Sequence, residues 1–200
     1  MIIEENFLND EEVEIVQKCI IDNHEFPWYR HHLSSSYDYP FYSHTLKKRD
    51  EFIKEDESEI NSGWTKFFFP ILQRFVDKHK LYEGDYKIMR CALNDTLSYP
   101  DKGCDVHIDY EEEHLVVMIY LTDSSGDTIF YTKQWKEGDK PVLENRLKNS
   151  KGYPKLKVKQ TITPEIGKMI CYNGLNYHSH NWKKPNERRV ICIFGIKKLG

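Results

Sequence analysis

His107 and Asp109 stand one residue apart in the run Cys104-Asp105-Val106-His107-Ile108-Asp109, which has the texture of a short strand. Strand side chains alternate between faces, so the imidazole and the carboxylate point the same way. An imidazole, a carboxylate and one further imidazole form the facial triad suited to non-haem Fe(II), with three coordination positions left open. Taken alone, a His-x-Asp is more often a pair of solvated strand residues than a metal site. A further imidazole is available near the chain end, where His178 and His180 lie two apart and share a strand face. Two cations follow, Arg188 and Arg189, and a guanidinium offers a carboxylate a planar, permanently charged fork. Alternation pairs Arg188 with Val190, Cys192 and Phe194, and Arg189 with Ile191 and Ile193, so both faces are apolar and neither cation is singled out. Asp105, His114 and the run Glu111 to Glu113 read as a solvated turn beside the pair.

These residues need a scaffold, and the chain has material for one. Its 200 residues contain 39% hydrophobic, 30% charged and 14% aromatic residues, which suits a single globular unit over 1–200 with a well-buried core. The formal net charge of -3 offers no global attraction to nucleic acid or an anionic membrane, making a nucleic-acid partner unlikely on charge grounds. The acidic start MIIEENFLNDEE is unlike a secretory signal, no stretch has membrane-spanning length, and a cytoplasmic location is expected. Five scattered cysteines without a CxxC pair suggest neither a disulfide framework nor a thiolate zinc site.

Asn9, followed by Asp10, Glu11 and Glu12, has the profile of a helix N-cap, and Val13, Val16 and Ile20 continue at helical spacing to about Ile21. Trp64, Phe67, Phe68, Ile71, Phe75 and Val76 form a second helical stripe, in which Pro70 predicts a kink or restart. From Tyr86 onward eight short strand-like runs alternate with Gly, Pro, Asn and Asp. Helices first and strands afterwards predict a mainly β fold with flanking helices, a double-stranded β-helix or jelly roll: 1–84 as helical support, 85–200 as the core. The aromatic-rich loop from Phe26 to Tyr42 and the lysine-rich insert from Lys133 to Lys157 are expected to border a substrate groove.

Several segments, in order, resemble the prolyl 4-hydroxylase-like branch of the Fe(II)/2-oxoglutarate-dependent oxygenases. His107-Ile108-Asp109 is similar to the family's HxD strand, and Ile119-Tyr120-Leu121-Thr122-Asp123 to its I/L-Y-L-N-D strand. Ser125-Gly126-Asp127-Thr128-Ile129-Phe130 resembles the GGxTxF turn, with Ser125 in place of a glycine. Pro164 to Tyr172 resembles PxxGxxxxF, and His178-Ser179 through Glu187-Arg188 resembles HSxxxVxxGxR. The resemblance implies that His107, Asp109 and His178 hold Fe(II), and that Arg188 and the Tyr120 hydroxyl bind the distal carboxylate of 2-oxoglutarate. His178 is chosen over His180 because a small residue follows it and ten positions separate it from Arg188. The implied activity is hydroxylation of an unactivated C–H bond with O2, ascorbate serving as an optional reductant. The implied substrate is a prolyl residue of a peptide or protein, or alternatively a small molecule such as a free amino acid. Two other classes compete: a non-catalytic jelly-roll binding module with structural histidines, and a zinc hydrolase, which would leave the cation and Tyr120 unexplained.

Overall fold

The computed structural model describes residues 1–31, 41–55, 57–98, 104, 106–139 and 156–199. The chain opens with β1 (Ile2–Glu4) and α1 (Asp10–Val16), whose cap is the expected Asn9. The Asn9 side chain accepts from the Glu12 N–H at 2.8 Å, and the Glu12 carboxylate accepts from the Asn9 N–H at 2.9 Å. This reciprocal box satisfies two donors that a helix start leaves open. A π-helical turn, Gln17–Ile21, continues α1 to the predicted end.

Beyond β2 (Tyr29–His31) and β3 (Phe41–Lys47) comes α2 (Thr65–His79), which passes through Pro70 without a break. The proline forfeits only the bond to the Lys66 carbonyl, and both residues lie on the exposed side, where water can satisfy that oxygen.

The strands that follow are β4 (Tyr86–Leu97), β5 (Leu115–Tyr120), β6 (Thr128–Gln134), β7 (Val158–Ile162), β8 (Met169–Asn173), β9 (Asn176–His180) and β10 (Arg188–Lys198). They form a seven-stranded sheet in the order β1-β8-β5-β10-β4-β3-β2 and a three-stranded sheet in the order β7-β6-β9. All the pairings are antiparallel. The jelly roll expected from the strand count is present.

Both faces of the large sheet are covered, which explains its nearly continuous apolar strands. Val117 and Ile119 of β5 and Val190, Cys192 and Phe194 of β10 pack outward against Val16, Ile20, Phe68, Leu72 and Phe75 of the helices. Val116, Met118, Tyr120, Ile191 and Ile193 face inward, joining Phe130, Ile162, Ile170 and Tyr172 between the two sheets.

Two expectations need correction. Residues 1–84 are not only helical support, because β1 pairs with β8 and β3 with β4. β1 and β2 have three residues each, too short for an alternating pattern to show in the sequence. The His107 segment is not a strand but an isolated bridge to His178. Of the two loops expected at the substrate groove, 32–40 and 140–155 lie outside the described residues. No helix among the described residues is long and apolar enough to cross a membrane.

Candidate metal centre

His107 and His178 face each other across their bridge, each backbone N–H donating to the other's carbonyl at 2.9 Å. Their rings stand 4.5 Å apart, and Asp109 completes a group whose ligand atoms all lie within 4.8 Å of one another. Ile108, between the two ligands, turns the other way and is buried. The His178 Nδ1 lies 3.1 Å from the Asn176 carbonyl, so Nδ1–H donates there and the Nε2 lone pair is free to coordinate. That Nε2 sits 4.0 Å from Asp109 Oδ2, which is buried without a hydrogen-bond partner. A charged acceptor left open between two imidazoles, with the His178 Nδ1–H already bonded to the Asn176 carbonyl, fits a divalent cation.

Burial opposes ionisation of Asp109, but Arg90, the two imidazoles and Arg49 outweigh it and hold the carboxyl well below its usual range. For His178, burial followed by repulsion from His107 pushes the pKa down to about 4, which keeps the ring neutral and able to ligate. The sign of the acid response follows. An imidazole in the unfolded chain titrates near ~6.5, so on acidification the unfolded state takes up the proton first. The metal-free protein should therefore be unaffected by pH above ~6.5 through this group and lose stability from there down towards pH ~4, by about 3 kcal/mol. Asp109, depressed below its ordinary value, adds a loss at still lower pH. Denaturant midpoints measured across this range check it; a flat profile would mean that His178 is not buried neutral.

His180 shares the strand face of His178 but lies outside the three-residue cluster. Its ring makes an edge contact with Trp182 at 5.9 Å, and its Nε2 is buried without a hydrogen bond.

The structure departs from expectation at the cation. Arg188 lies on the outer face, where Nε and Nη2 each approach Asp95 at 2.9 Å and Nη1 donates to the Ile21 carbonyl at 2.9 Å. Its guanidinium lies over the Trp28 ring, tying the end of the first helical segment to the sheet. Arg189 is the buried one, facing inward with Ile191 and Ile193. Its Nη2 donates to the Thr128 hydroxyl at 2.8 Å, and its guanidinium stands 5.6 Å from the Tyr120 ring. The hydroxyls of Thr128 and Tyr120 are 2.7 Å apart. Tyr120 therefore keeps company with Arg189, while Arg188, ten positions after His178, lies on the opposite face. The turn before β10 has Asn186 in the left-handed region at φ 58°.

Several buried polar atoms around Arg189 lack hydrogen-bond partners: Arg189 Nε, Trp182 Nε1, His180 Nε2 and the Tyr172 hydroxyl. Tyr172 bridges the two ends of this space, since its ring lies 5.4 Å from that of His178. Unpaired buried donors are costly, so these atoms call for polar partners. Thr128, Tyr172 and Asn176 were not expected to matter; the only sequence signal for them was the two-residue period, which places Thr128 and Phe130 on one face of β6.

No family model and no curated protein matches the sequence. Solved structures do. An oxidoreductase of the 2OG-Fe(II) oxygenase family from Burkholderia pseudomallei aligns over 98% of this chain and 84% of its own, at 14% identity and a TM-score of 0.63. A prolyl hydroxylase from Trichoplax adhaerens, in complex with a peptide fragment of the hypoxia inducible factor oxygen degradation domain, aligns over 97% and 82% at 14% identity, TM-score 0.59. HygX from Streptomyces hygroscopicus, with nickel, 2-oxoglutarate and hygromycin B bound, aligns over 98% and 81% at 12% identity, TM-score 0.56. The chain has the fold of these oxygenases.

Proposed function

We propose that this chain is a 2-oxoglutarate-dependent dioxygenase in which His107, Asp109 and His178 hold Fe(II) and Arg189, assisted by Thr128 and Tyr120, binds the co-substrate. The observation that carries the reading is the cluster of three ligands sharing one interior with a buried guanidinium whose Nε is unpaired. The bidentate fork of Arg189 suits the distal carboxylate of 2-oxoglutarate, and the Thr128 and Tyr120 hydroxyls supply further donors beside it. Trp182 Nε1 and His180 Nε2 are buried and unpaired, and are further hydrogen-bonding groups available to a polar ligand.

Bound together, ferrous iron and 2-oxoglutarate supply the oxidising power: O2 is consumed, the co-substrate leaves as succinate and CO2, and a substrate C–H becomes C–OH. The chain's own part is to fix the ligands on one side of the metal, keep His178 neutral and line the pocket with Phe130, Ile191 and Ile193 so that it stays dry. A zinc hydrolase or a non-catalytic module has no use for a buried cation aimed at this space.

Anaerobic addition of Fe(II) and 2-oxoglutarate to the metal-free protein should produce the weak visible charge-transfer band of the chelate. A folded protein that gives no band would overturn the reading. The fold is shared by the peptide-bound Trichoplax enzyme and by HygX with its aminoglycoside, so either a prolyl peptide or a small molecule is compatible with it.

A further inference from the structure

We infer that Arg49 and Arg90 form an anion-binding arm of the substrate pocket, and that the substrate is a small molecule carrying a carboxylate. This rests on the oxygenase reading above and specifies its substrate class.

The two guanidiniums are related through Tyr110. Both the Tyr110 ring and the stem of Arg90 lie against β10 at Gly195, where a Cβ would stand 3.4 Å and 3.7 Å from them. Arg49 stacks on the same tyrosine ring at 4.5 Å. Arg90 reaches the metal end: its Nη1 is 3.9 Å from Asp109 Oδ1, the oxygen other than the one nearest His178. Both side chains are largely buried, at 28% and 16% exposure. Among the described residues neither guanidinium donates a hydrogen bond; Arg49 has only the half-exposed Glu51 at 3.7 Å, and Arg90 only Asp109 at 3.9 Å. The hydroxyl of Tyr110 is buried and likewise unpaired.

Charge makes the vacancy specific. With the dication and co-substrate in place, the metal, Asp109, the 2-oxoglutarate dianion and Arg189 together come to zero. Asp109 is then committed to the metal, which leaves Arg49 and Arg90 opposed by one solvent-screened glutamate. Two largely buried cations, one of them beside Asp109, need an anion, and their planar forks suit a carboxylate. An internal prolyl residue of a peptide has no anion to offer, whereas a free amino acid or other small acid does. Tyr110 also lines a cavity of about 700 Å³ that can take the rest of such a molecule. Its lining carries six carboxylates, of which Asp50, Glu112 and Asp139 pair with Lys87, Lys197 and Lys133, so the anion of such a molecule belongs at the arginines and not in the cavity itself.

The test uses zinc-loaded, 2-oxoglutarate-loaded protein, in which no turnover occurs, with acetate as probe and acetamide as its neutral twin. Arginine Nε–Hε resonances are followed by NMR. Acetate should shift the Arg49 and Arg90 signals saturably while the Arg189 signal keeps its co-substrate-bound position, acetamide should not, and Arg90→Met should weaken acetate binding roughly tenfold or more. No saturable shift, or an equal shift with acetamide, overturns the inference. So does a capped peptide bearing one glutamate that binds more tightly than acetate, which would move the partner to an acidic chain segment. Failure of the oxygenase reading is seen separately: 2-oxoglutarate would then leave the Arg189 signal unmoved before any acetate is added.

Discussion

Alanine at position 178 is expected to strip the protein of iron, while alanine at position 180 leaves the iron in place. Both histidines lie on β9 and both point inward, yet only His178 combines a free Nε2 with a carboxylate 4.0 Å away. Its Nδ1 is engaged by the Asn176 carbonyl, which fixes the ring orientation. Loss of an outer-shell partner alone costs metal sites about 10–100-fold in affinity, so removal of a ligand should exceed ~100-fold. His178→Ala also removes a buried ring beside Phe130 and Tyr172, so circular dichroism must accompany the metal analysis. Iron retained by a folded His178→Ala protein, with loss from His180→Ala, would move the site one turn of the pleat along β9.

The second large effect separates the adjacent arginines. Arg189→Ala should raise the 2-oxoglutarate requirement by about 3 kcal/mol, or roughly a hundredfold, since a buried carboxylate would lose its charged partner. Its fold should persist, because the guanidinium spans a space meant for ligand. Arg188→Ala should do the reverse. It leaves the buried Asp95 without its ion pair and frees the Ile21 carbonyl, so stability should drop by about 1–3 kcal/mol with the co-substrate requirement unchanged. Titration of the charge-transfer band against 2-oxoglutarate, with urea midpoints for both variants, checks the pair; a raised requirement confined to Arg188→Ala would return the role to that residue.

That pair also shows where the sequence stops being informative. The period of two along β10 correctly separates the faces, but with apolar residues on both it cannot say which face is interior. Counting from His178 does not help either, because the count passes through a turn, and one extra turn residue inverts every side chain that follows. What would have decided it is register: Ile191 lies directly opposite Tyr120, and a residue two before it therefore shares Tyr120's face. Helices were easier to see. Asn9 with Glu12 announces its own cap within four residues, whereas β2 is recognised only through its pairing with β3. Arg49 and Arg90 were invisible for the same reason, since nothing local relates them to Asp109.

The bridge between His107 and His178 has a thermodynamic corollary. Among the described residues three backbone hydrogen bonds hold the first ligand-bearing segment to β9, two across the bridge and one from the Cys104 N–H to the His180 carbonyl at 3.0 Å, where β10 and β4 share an eleven-pair ladder. Such a segment is a low-stability unit that opens by itself, well below the free energy needed to unfold the core. A metal ion gripping both sides of the bridge acts as a reversible crosslink, and part of its binding free energy goes into closing that unit. Metal affinity and amide protection at His107 and His178 are thus two measures of one equilibrium. The strands of the core, already closed, do not take part in it.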